Sequence, residues 1–133
     1  MTVKNSTTCA QNKESLTAHQ LAKTIANLSR TKKAEDVTIL NLQGLTSITD
    51  YFVIASGASD VQVKAIVDAI QEELEPEFSP WHREGYENLR WVLLDFVDVV
   101  VHVFQKPVRE YYDLERLWAD ADAEIVKEED IEE

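Results

Sequence analysis

Asp95 and Asp98, with Trp91 before them and His102 after, are the residues of this chain best spaced to act together. Two carboxylates and an imidazole brought onto one surface could hold a divalent ion, and an ion held there could assist nucleotidyl or phosphoryl transfer. They could equally pair with lysines or arginines of a macromolecular partner, or stay hydrated at a wet hairpin end. The surrounding residues decide which role is available.

Little else in the chain supports catalysis. His19, His82 and His102 are scattered, and none falls at a zinc-ligand spacing. The three glycines are not clustered, so no phosphate-cradling loop is present. Ser56-Gly57-Ala58-Ser59 stands at a strand-to-helix turn, where helix-start amides could meet an anion. Capping requires serine and glycine at such a turn in any case. The single cysteine, Cys9, excludes an internal disulfide framework and a thiolate metal cluster. No catalytic residue, metal or cofactor is assigned.

The elements that position the aspartates come from alternation. Trp91 to Asp95 and Asp98 to Phe104 are rich in β-branched and aromatic residues, with a short connection at Phe96-Val97. This predicts a hairpin in which Asp95 opposes Asp98, Leu93 opposes Val100 and Trp91 opposes His102. Directly opposed residues share a face. One face is therefore aliphatic: Val92, Leu94, Val99, Val101 and Val103. The other carries Trp91, Leu93, Asp95, Asp98, Val100, His102 and Phe104. The first is core; the second is expected to be partly open.

Upstream, Leu16, Leu21, Ile25 and Leu28 mark one face of a helix reaching about Arg30. Val37 to Leu42 and Asp50 to Ser56 alternate as an antiparallel strand pair. Ser59 caps a helix whose stripe is Val63, Ile66, Val67, Ile70 and Leu74, and Pro76 ends it. Residues 76 to 88 are predicted as a long loop in which Trp81 and Tyr86 stand among His82, Arg83, Glu84 and Glu87. Aromatics in polar loops can anchor partners or lid a core edge. Pro107 is read as a strand breaker, and Asp113 to about Ala121 as a closing helix with Leu114, Leu117 and Trp118 facing the sheet. The expected fold is α/β, a mixed sheet with helices packed mainly on one face. Residues 1–13 form an expected disordered extension, 14–122 the domain, and 123–133 an acidic disordered tail.

Charge narrows the partner. With 25 acidic and 13 basic residues the net charge is −12, which disfavours direct binding to phosphate backbones and favours a basic protein surface. No apolar run is long enough to cross a bilayer, and no signal-peptide core is visible. A reduced cytoplasmic setting without a membrane partner is expected.

Four segments, in order and with family-like spacing, resemble the ribosomal silencing factor (Iojap) family. They are Thr49-Asp50-Tyr51-Phe52-Val53-Ile54-Ala55-Ser56-Gly57; Glu84-Gly85 followed by Trp91 to Asp95; Asp98 to His102; and Arg109-Glu110-Tyr111-Tyr112-Asp113-Leu114-Glu115 with Trp118. The likeness runs from about Leu16 to Trp118. Two positions depart: Val97 stands where the family usually has glycine, and Val61-Gln62 where it tends to have Arg-Gln. A β-branched residue at a turn position needing positive φ costs roughly 1–2 kcal/mol. The resemblance implies a nucleotidyltransferase-like topology without an enzyme's activity. It also implies docking on protein L14 of the large ribosomal subunit, obstructing the small subunit. Face and charge nominate Trp81, Glu84, Tyr86, Trp91, Asp95, Asp98 and His102 as the partner-binding residues. Alternatives are a metal-dependent nucleotidyl- or phosphoryl-transferase using Asp95 and Asp98, an unrelated adaptor domain, or a homodimer formed through the open face.

Overall fold

A computed structural model of the chain describes residues 16–127; the expected N-terminal extension and residues 128–133 of the tail lie outside them. Ten elements follow in order: α1 (Ala18–Thr31), β1 (Glu35–Asn41), β2 (Tyr51–Gly57), α2 (Asp60–Leu74), β3 (His82–Glu84), β4 (Trp91–Asp95), β5 (Val99–Gln105), α3 (Lys106–Tyr112), α4 (Leu114–Leu117) and β6 (Asp122–Ile125). The strands form one mixed sheet ordered β3-β4-β5-β2-β1-β6. Only β2 and β5 run parallel, joined by the crossover through α2, β3 and β4. None of the described helices is long and apolar enough to cross a membrane.

Local chemistry explains the main helices. Thr17 and Gln20 form a reciprocal capping box that starts α1. Ser59 accepts from the Gln62 amide and starts α2. Both helices press their apolar stripes onto one face of the sheet. Leu21, Ile25, Val63, Ile66, Val67 and Ile70 meet Val53, Val92, Leu94, Val99, Val101 and Val103 there. Each fully buried aliphatic side chain contributes about 1.5–3 kcal/mol, so this layer supplies most of the stability.

The opposite face, expected to be partly open, is not left bare. A second, smaller core of Leu40, Leu42, Ile54 and Phe104 is covered by Val108, Leu114 and Trp118, which α3, α4 and the residue after α4 supply. Pro107 does not merely stop a strand. It sits in the first turn of α3, where its missing N–H costs nothing. The closing helix is shorter than predicted, ending at Leu117 with Trp118 as its C-cap, and Asp113 in a left-handed conformation separates it from α3.

Other corrections concern edges. The loop from Pro76 contains β3, paired antiparallel to β4. The expected tail begins too early, since β6 pairs with β1 and Val126 is buried. Alternation in its short segment is obscured by the surrounding acids.

The hairpin register also differs. Observed pairs are Trp91↔Phe104, Leu93↔His102 and Asp95↔Val100. The turn is Val97-Asp98, one position later than predicted, with the Phe96 amide bonded to the Val99 carbonyl at 2.8 Å. A shift of two in the pairing preserves parity, so both face assignments stand. The two aspartates are not opposed: Asp95 is on β4, where its carboxylate accepts from the Val97 amide at 2.8 Å, and Asp98 is in the turn.

Val97 adopts φ +77°, where a β-branched residue is strained. Val97→Gly should therefore stabilise the protein by about 1 kcal/mol, the greater chain entropy of unfolded glycine offsetting part of the relief. Urea denaturation checks this: the midpoint should rise with the slope unchanged, and a lower midpoint would show that the turn is unstrained.

Candidate functional site

Trp91 opens β4 on the second face and is half-buried. Its ring lies 4.8 Å from Phe104 on β5 and 4.8 Å from Tyr112 on α3, so sheet and roof hold it from two sides. Its indole N–H donates to Nδ1 of His102 at 3.0 Å. Indole can only donate, so Nδ1 must be the bare nitrogen and the neutral ring carries its proton on Nε2. Nε2 is buried without a protein hydrogen-bond partner, and the Phe52 ring packs edge-on at 4.5 Å. His102 is 4% exposed. It cannot touch a partner, contrary to its nomination, and instead fixes the indole from beneath. Burial drives its pKa down to about 4.

Gly85 permits the approach of the preceding segment to β4. At φ +85° a side chain would be strained, and a Cβ would sit 2.0 Å from the Trp91 carbonyl oxygen.

The roof is fastened by Arg109. This buried guanidinium donates through Nη1 to Ser56 Oγ at 2.8 Å and through Nη2 to Thr38 Oγ1 at 3.4 Å. Its Nε donates to Glu115 Oε2 at 3.1 Å, and Nη2 bonds the same oxygen. One residue of α3 thus joins β1, β2 and α4. The guanidinium is buried but Glu115 is about one-third exposed, so solvent screens the pair and breaking it costs less than the roughly 3–5 kcal/mol of a fully buried one.

Held this way, α3 and α4 display apolar surface outward. Tyr111 is 81% exposed and Tyr112 52% exposed, their rings edge-to-face at 5.0 Å; Leu117 is also exposed. A hollow of about 320 Å³ lies among Arg90, Trp91, Pro107, Val108 and the two tyrosines. A second, of about 570 Å³, lies among the tyrosines, Glu110, Asp113, Arg116 and Leu117. Sequence reasoning did not nominate Tyr111 and Tyr112. The available signal was their adjacency, since neighbouring positions on a helix diverge by about 100° and one core cannot bury both.

The seven nominated residues are therefore dispersed. Trp91 borders the aromatic ridge, and Glu84 shares its face on β3, opposite Leu93 and bonded to His82 Nε2 at 2.5 Å. Tyr86 faces the other way: its hydroxyl donates to Asp68 of α2 at 2.7 Å, and Arg83 stacks 4.1 Å from its ring centroid. Trp81, Asp95 and Asp98 gather at the far end of β4, where the Trp81 amide donates to the Asp95 carbonyl at 2.7 Å. The two aspartates are not the opposed cross-strand pair that the transferase alternative started from: Asp95 lies opposite Val100, and Asp98 is in the turn. No group of three or more His, Cys, Asp or Glu suited to a metal occurs among the described residues.

Comparison with known proteins decides the family. The model described as ribosomal silencing factor during starvation matches residues 15–133. The chain belongs to the ribosomal silencing factor family. It is 46% identical over 103 residues to a ribosomal silencing factor of Halalkalibacterium halodurans, covering 77% of this chain and 88% of that one. A crystal structure of a protein from Chromobacterium violaceum superposes with a TM-score of 0.75 at 34% identity, covering 84% and 94% of the two chains. A more distant relative is the mouse mitochondrial assembly of ribosomal large subunit protein 1. It is 32% identical over 98 residues, which cover 71% of this chain and 43% of that protein.

In this protein His102 gives the fold a defined acid sensitivity. The unfolded imidazole takes up its proton near pH 6.5, while the buried one resists to about pH 4. Between those values the unfolded state holds more protons, so stability is complete above 6.5 and is lost as the pH falls toward 4. The full loss is on the order of 3 kcal/mol. Urea titrations at pH 7 and pH 4.5 should show a smaller drop for His102→Gln than for wild type. Equal drops would place the imidazole in water.

Proposed function

We propose that this chain docks on protein L14 of the large ribosomal subunit through the Trp91–Tyr111–Tyr112 ridge. Bound there it blocks joining of the small subunit and represses translation, in the cytoplasm and without chemistry. The observation carrying this reading is the exposed tyrosine pair, seated against Trp91 and braced by a buried arginine, on an acidic domain. Rigid aromatics beside hollows are the usual anchors of protein interfaces. A net charge of −12 favours a basic protein surface over exposed rRNA, and Glu110 and Asp113 stand with Arg90 and Arg116 around the ridge as polar groups for pairing.

Family membership supports the ribosomal setting, and the name of the mouse relative concerns assembly of the ribosomal large subunit. Size supports steric obstruction: a chain of this length has a radius of gyration of about 14 Å, hence a body roughly 35 Å across. Such a body at an intersubunit contact prevents closure.

Replacing both Tyr111 and Tyr112 by alanine should weaken binding to isolated L14 by tenfold or more, equivalent to about 1.4 kcal/mol or above. The same variant should stop inhibiting subunit joining in sucrose-gradient sedimentation. Exposed as they are, the tyrosines contribute little to the fold, so the melting temperature should change by only a few degrees. Wild-type affinity in the variant would remove the ridge from the interface.

A further inference from the structure

A second surface lies at the other end of β4, about 14 Å from Trp91 at the rise of a strand. Six strands have an end there, and the first five in sheet order, β3, β4, β5, β2 and β1, carry the apolar tips. Their loop tips make a continuous rim about 19 Å wide at the usual strand spacing. The tips are tied to one another. The Asp98 carbonyl accepts from the Asp50 and Tyr51 amides at 3.0 and 3.1 Å, and the Asp50 carbonyl accepts from Leu42 at 2.8 Å. With the Trp81–Asp95 bond, these links hold the rim as a fixed edge.

The rim is apolar and acidic together. Ile48 is 82% exposed, Trp81 80% and Val97 56%, with Leu45 exposed beside them. Asp50, Asp95 and Asp98 supply negative charge, and none of residues 41–52, 76–81 or 94–100 is lysine or arginine. Nearby Arg83 is turned away to Gln71 and Tyr86 on the α2 side. Solvent offers no reason to keep a strained valine outward at position 97; an apolar contact does.

We propose that this rim is a second docking surface, which takes a basic protein segment of the large subunit other than L14. Its aliphatic or aromatic side chains cover Ile48, Val97 and Trp81, and its lysines or arginines pair with Asp95 and Asp98. Three aspartates in loops without lysine or arginine disfavour nucleic acid as occupant. A separate protein is required because the ridge looks out from the sheet face whereas the rim looks along the strands. A single flat basic surface cannot cover both. This inference rests on the ribosomal reading above and names a further partner class for it.

The test uses full-length protein with purified large subunits and, separately, isolated L14. Trp81→Ala with Ile48→Ser, and Asp98→Lys alone, should each weaken binding to large subunits tenfold or more and leave L14 affinity unchanged. The Asp98→Lys loss should shrink as salt rises from 50 to about 300 mM, where exposed charges are screened. The double tyrosine variant should lose both partners. Rim variants that bind subunits like wild type would overturn the proposal alone, as would an equal loss toward L14, which would make the rim part of one interface. Wild-type protein that binds neither would overturn this inference and the L14 reading together.

Discussion

Strand β5 must be covered on both sides, and the rest of the structure follows from that requirement. Val99, Val101 and Val103 point to α1 and α2, while Val100, His102 and Phe104 point to the opposite face and are equally buried. A strand apolar on both faces needs two layers of cover. The chain supplies the second layer by turning back at Pro107 straight from the end of β5. Two short helices have too little apolar area to hold themselves down, so the buried Arg109 does it, reaching β1, β2 and α4 at once. What the roof displays outward is set by how it is fastened inward.

The same requirement fixes Trp91. Ionising the imidazole under it would place an unsolvated charge in the core and remove the acceptor of the indole hydrogen bond, so it resists protonation to about pH 4. The ring is therefore held in one orientation by Phe104, His102 and Tyr112 before any partner arrives. Preorganisation of this kind reduces the entropy lost on binding. It would suit the steric blocking proposed above, which needs residence and no turnover.

Much of this was legible in the sequence because β alternation is robust. The hairpin register was off by two, yet two residues is one full period, and each side chain kept its face. The turn position failed because Phe96-Val97 and Val97-Asp98 are equally short, and the residue that takes positive φ is the unlikely valine. Helix α3 was missed since proline after a strand was read as a terminator, although its fixed φ also suits a first helical turn. Strand β6 was hidden by acidic composition, which resembles a solvated tail until β1 offers it an edge. The site was half legible. Alternation places Trp91 and Glu84 on one face but carries no depth. His102 is nominated there, although a strand histidine beside Trp is more often a packing residue, as it is here. Tyr86 was assigned by proximity in sequence, and its side chain had gone to α2.

Amide hydrogen exchange of the protein alone and bound to large subunits tests the central claim most directly. Docking by the ridge is expected to slow exchange across residues 90–93 and 106–118 and to leave α1 unchanged. Protection confined to α1 and α2, with the α3–α4 roof exchanging as in the free protein, would contradict it.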